Sequence, residues 1–62
     1  GAVSLRKGNL VYAYGSPIRG EGWPGPEVLG VVYAIVKEGV WVEWPGGVVC
    51  LHRIFDLTSI DS

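Results

Sequence analysis

The chain has no methionine, one cysteine, one histidine and one phenylalanine. A lone cysteine cannot close an internal disulfide, which excludes the crosslinked frameworks of tiny secreted domains and leads to the expectation of a reducing, cytoplasmic setting. Charge is also scarce. Five Lys and Arg stand against six Asp and Glu, for a formal net charge of -1, and no block of like charge occurs anywhere. That argues against the basic stripe on which non-specific nucleic-acid or membrane-surface binding rests. The longest apolar runs fall far below the roughly 18 residues of a transmembrane helix, and no basic-then-apolar signal pattern opens the sequence, so no membrane partner is expected. The opening Gly1-Ala2 and the missing methionine suggest a processed chain or a piece of a longer protein.

What is abundant is glycine, proline and apolar surface. Ten Gly and four Pro punctuate 62 residues, of which 48% are hydrophobic, and the mean hydropathy is positive. A chain of this length is one domain, residues 1–62, and buries only about 60% of the surface its unfolded form exposes. A small surface cannot hide so many Val, Leu, Ile and Trp side chains, so self-association into a homo-oligomer is expected.

Between the Gly and Pro positions lie β-branched and aromatic runs too short for helices, which makes the class all-β. The spacing predicts a first strand at Leu10–Tyr14, entered through the Lys7-Gly8-Asn9 turn. Gly15 to Glu27 (GSPIRGEGWPGPE) follows as a long loop, because Pro17, Pro24 and Pro26 exclude helix and regular central strand, with Trp23 as its one large anchor. Val28–Val36 is the next strand, with a bulge or sharp bend expected at Gly30. Lys37-Glu38-Gly39 forms a tight turn into Val40–Trp44. Pro45-Gly46-Gly47 turns the chain again into Val48–His52. Ile54 and Leu57, three apart, predict a single 3₁₀ turn over Arg53–Leu57 with those two on one side, before a short last strand at Thr58–Ile60.

Lys7-Gly8-Asn9-Leu10-Val11, Leu29-Gly30-Val31-Val32, Val40 through Gly47 and the later Leu57 resemble the recurring pattern of Tudor and KOW domains, small SH3-like barrels. The resemblance covers nearly the whole chain and implies a five-stranded SH3-like barrel with a long first loop. It implies two uses: a cage of aromatic residues for a methylated cation, or nucleic-acid binding within a longer protein. Trp44 matches one cage position, whereas Gly15, Val28 and Val48 stand where other cage residues occur. The chain also resembles the type II, plasmid-type dihydrofolate reductases, barrels of this length that assemble around a central pore. Pro45-Gly46-Gly47-Val48 leads into Val49-Cys50-Leu51-His52 at the spacing of their Val-Gln-Ile-Tyr strand, with Cys50 at the Gln position and His52 at the Tyr position.

Cys50 and His52 are two apart on a strand, so their side chains leave one face together. No second Cys or His accompanies them, and only Asp56 and Glu43 are carboxylates nearby, so no metal site is expected. A thiol–imidazole nucleophile would need an oxyanion-stabilising pocket that nothing in the sequence marks, so no catalytic residue and no cofactor is assigned. Alternation places Val40, Val42 and Trp44 on one face of their strand and Trp41 with Glu43 on the other. Packing Trp44 inward, with Val49 and Leu51 from the next strand, turns Trp41 outward beside an acid, an arrangement suited to an interface. The expected function is a binding or assembly module without catalysis of its own. Its contact surface would combine Trp41, Glu43, Cys50 and His52 on the outer faces of adjacent strands, helped by Trp23 from the long loop.

Overall fold

In a computed structural model, which describes residues 5–60, the chain is all-β. The opening Gly1-Ala2 lies outside the described residues. Five antiparallel strands form one sheet: β1 (Leu10–Ala13), β2 (Gly30–Val36), β3 (Gly39–Trp44), β4 (Val48–His52) and β5 (Leu57–Ser59). A single 3₁₀ turn, Ile54–Asp56, precedes the last strand as the sequence predicts. The order across the sheet is β4-β3-β2-β1-β5, so β4 and β5 are its edges. No ladder joins them among the described residues, and the expected barrel is not closed. Only Arg53 and the 3₁₀ turn separate the end of β4 from the start of β5. At about 2 Å of rise per residue that link is short. The sheet must therefore curl enough to bring its two edges near each other at one end.

The turns set the register. Three residues, Pro45, Gly46 and Gly47, separate Trp44 from Val48, which pair directly; Val42 then opposes Cys50 and Val40 opposes His52. Residues directly opposite in an antiparallel pair share a face. The inner face of the hairpin is consequently Val40, Val42 and Trp44 with Val48, Cys50 and His52. Val40, Val42, Trp44 and Cys50 join Val11, Ala13 and Val32 in the buried core, against which Leu5, Trp23, Val28, Val48 and Leu57 pack. Two expectations are corrected. Cys50 and His52 lie in the interior, not beside Trp41 and Glu43. Val49 and Leu51 belong to the outer face, where they oppose Glu43 and Trp41. Leu51 is buried there, outside the core cluster.

Gly30 also has a different role from the one expected. The register shift in β2 falls between Val32 and Ala34, leaving Tyr33 as the extra residue. Gly30 instead starts the strand where its backbone passes over the core: a Cβ there would stand 2.6 Å from the Trp44 ring and from Val42 Cγ1. No real side-chain carbon tolerates such a contact, so glycine is what lets Trp44 pack under β2. Leu57, which starts β5 directly after the 3₁₀ turn, packs toward the core, but Ile54 on the turn is exposed, so the two do not share one buried side.

The Gly15 to Glu27 loop is ordered against the β4 edge. Ile18 N–H donates to the Leu51 carbonyl at 2.6 Å, and the Leu51 N–H donates to the Arg19 carbonyl at 2.9 Å. A single bridge, Arg19 with Leu51, thus pairs the edge strand's outward groups. Residues 18–23 act as a strap over an edge that would otherwise offer unpaired backbone.

Candidate functional site

The strap continues from the β4 edge onto the inner face. Gly20 adopts φ +98°, and a Cβ on it would lie 2.9 Å from the Val49 carbonyl and 3.0 Å from Cys50 Cα, so backbone presses on backbone with no room for a side chain. The Cys50 thiol donates to the Glu21 carbonyl at 3.9 Å, a long contact of the kind sulfur makes. Two residues further on, Trp23 reaches His52.

His52 is 0% exposed and lies between two indoles. Its ring centroid is 5.4 Å from that of Trp44 at an interplanar angle of 76°, and 5.6 Å from that of Trp23 at 68°. Trp44 Nε1–H donates to His52 Nε2 at 3.2 Å. An accepting Nε2 places the imidazole's single proton on Nδ1. His52 Nδ1 and Trp23 Nε1 are both buried without a hydrogen-bond partner of good geometry. Burial lowers the His52 pKa below its ordinary value, because the imidazolium would lose its hydration. The Gly15 backbone and the Asp56 carboxylate pull the other way. Burial likewise raises the Cys50 pKa, with the Trp23 backbone opposing. A thiol kept protonated and facing a carbonyl is a poor nucleophile.

The five residues assigned from sequence therefore separate into two groups. Cys50, His52 and Trp23 meet on the inner face, joined by the strap. Trp41, half-buried, and Glu43, exposed, stand on the outer face, opposite Leu51 and Val49. Trp44, the one residue matching an aromatic-cage position, is packed in the core. Among the described residues, no group of three or more His, Cys, Asp and Glu is placed to share a metal ion, and no helix is long and apolar enough to cross a membrane.

Among the described residues, the most exposed large apolar side chain was not legible as a site. Phe55, on the 3₁₀ turn, is 93% exposed. It stands at a groove of about 320 Å³ lined by Ile35, Val36, Val40 and Ile54, with Lys37, Glu38 and Arg53 among its polar walls. Ile35, Val36 and Ile54 are themselves exposed. Arg53 reaches Asp56 at 3.8 Å, a partly exposed ion pair within the turn. On the outer face of β2, Val31 and Tyr33 add further exposed apolar surface. The signal in the sequence was the adjacent pair Ile54-Phe55 in a turn too short to bury both. No protein-family model, curated protein or solved structure matches the chain, so the functional reading rests on these side chains alone.

Proposed function

We propose that this chain is a non-catalytic assembly module whose partner is a second copy of itself, docking through the groove at the end of the β2–β3 hairpin. One observation carries the reading: Phe55, 93% exposed, projects beside an apolar groove on the same patch. A two-fold contact needs a surface complementary to itself, and a knob adjacent to a hollow meets that need, since each copy's Phe55 enters the other's groove. Lys37 and Glu38, adjacent and opposite in charge at the rim, allow reciprocal ion pairing across the same axis. Burying a Phe side chain is worth about 1.5–3 kcal/mol, and a symmetric contact does so twice. The outer-face residues Val31, Tyr33 and Trp41 offer a second apolar surface for higher assembly, with the exposed Glu43 beside them.

The SH3-like resemblance is compatible with this use, as such small sheets serve many functions. The reductase reading draws less support: Cys50 and His52, at the positions where those enzymes carry Gln and Tyr, face the core of the single chain rather than a pore. Nucleic-acid binding draws little from a net charge of -1. A reducing, cytoplasmic compartment suits the free, buried Cys50.

Sedimentation velocity across a concentration series tests the proposal. The wild-type chain is expected to sediment as a dimer or larger closed species, and Phe55→Ser as a monomer with an unchanged circular-dichroism spectrum. A wild-type monomer at the highest soluble concentration, or an unaltered assembly in Phe55→Ser, would reject it.

A further inference from the structure

We propose that His52 is an acid-operated latch, whose protonation releases the 18–23 strap and bares the β4 edge at Leu51. The latch is geometric. His52 Nε2 accepts the Trp44 Nε1–H at 3.2 Å, and the same imidazole meets the Trp23 ring at 5.6 Å, so one side chain ties the strap's anchor to the core tryptophan. Once protonated, the imidazole carries N–H on both nitrogens and accepts nothing. Two donors then face each other at the Trp44 contact. The indole presents its N–H edge there, not its π face, so that contact gives the new cation no cation–π compensation.

The groups facing His52 offset the cost of burying the charge only in part. From the 3₁₀ turn, Asp56 favours the imidazolium, but Arg53 already lies 3.8 Å from that carboxylate. The segment after β1 offers the Gly15 backbone, which also favours the imidazolium but less than burial opposes it. Glu43 of β3 points to the opposite face of the sheet, and Cys50 of β4 holds its proton, its thiol donating to the strap at Glu21. The remaining route to solvation is displacement of Trp23, the only half-buried member of the cluster. Trp23 shares its strap with Arg19 and Glu21, whose carbonyls receive the Leu51 N–H and the Cys50 thiol. Moving Trp23 therefore loosens the edge pairing at Leu51, and an uncovered edge is a template for another strand.

Amide hydrogen exchange resolves the latch, because the Leu51 N–H reports the strap through Arg19 and the Val32 N–H, bonded to the Asn9 carbonyl at 2.8 Å, reports the core. The protection factor, the exchange rate of an unstructured amide at the same pH divided by that of the amide in the protein, is the quantity to follow for both. Proton linkage makes the opening constant of any state that solvates His52 rise about tenfold for each pH unit below ~6.5, levelling at the pH where the folded protein's own imidazole titrates. The expected result is a Leu51 protection factor lower than that of Val32 at every pH and falling about tenfold per unit over this window. The single histidine makes its titration directly assignable by NMR. A Leu51 factor that is flat across the window overturns the latch, and so does one equal to that of Val32, which would mean opening only with the whole fold. In His52→Gln the Leu51 factor should become independent of pH; a persisting slope rejects the assignment to His52.

Discussion

The two faces of the β3–β4 hairpin are built from the same alternating pattern and do opposite work. Inward, Val40, Val42, Trp44, Cys50 and His52 are buried side by side, and Trp44 donates to His52 across the pair. Outward, Trp41 is half-buried, Glu43 is exposed and Val49 is half-buried, while Leu51 is covered where Arg19 of the strap bridges to it. The difference teaches where this small protein spends its polar chemistry. Its one histidine and one cysteine are buried where a loop meets the core, and its large exposed apolar side chains, Phe55 foremost, stand away from them.

The largest effect is expected from breaking the inner face at its biggest member. Trp44→Ala removes a buried indole and the donor to His52, and aromatic-to-alanine changes in cores cost about 3–5 kcal/mol. A chain of this size has roughly 3–9 kcal/mol of stability in all, so the urea midpoint should collapse or the variant should fail to fold. Next comes Gly30→Ala, whose methyl would meet the Trp44 ring at 2.6 Å. Overpacking of this kind costs about 1–3 kcal/mol, read as a lower midpoint in the same titration. An undiminished midpoint would mean that β2 can lift off Trp44 freely.

Acid sharpens the comparison without a mutation. Because burial holds the His52 pKa below its unfolded value, the unfolded chain binds a proton that the folded chain refuses. Stability is then undiminished above about pH 6.5 and falls by about 1.4 kcal/mol per pH unit until the pH passes the folded-state pKa. Urea melts between neutral and mildly acidic pH check this slope, and His52→Gln should flatten it. The smallest effect belongs to the outer face. Glu43→Ala should change stability by no more than about 0.5 kcal/mol, since it removes an exposed side chain that supports no packing. A loss of several times that size would show that the outer face is as structural as the inner one.

Much of the architecture was legible. The all-β class, the number of strands, both hairpin turns and the 3₁₀ turn follow from the spacing of Gly and Pro between short β-branched runs. The face of β4 was misread, although the signal was present: a three-residue turn at Pro45-Gly46-Gly47 sets Trp44 opposite Val48, which carries Cys50 and His52 inward with Val42 and Val40. A preference for apolar Val49 and Leu51 as core obscured it, because a polar histidine is rarely fully buried without partners. Its partners, Trp44 and Trp23, come from another strand and from a loop. Gly30 was recognised as special for the wrong reason, since its need is close approach to a ring fourteen positions along the chain.

By itself the sequence determined a five-stranded antiparallel sheet, because strand length, alternation and turn chemistry are local properties of the chain. It also determined that apolar surface would be left over, because 62 residues cannot cover it. Only the tertiary structure decided that the glycine- and proline-rich loop lies as a strap along β4, that His52 is enclosed between Trp23 and Trp44, and that Phe55 stands clear beside a groove. Those outcomes depend on how the sheet curls and which segments then meet across it. Such contacts join residues far apart in the chain, and no local pattern encodes them.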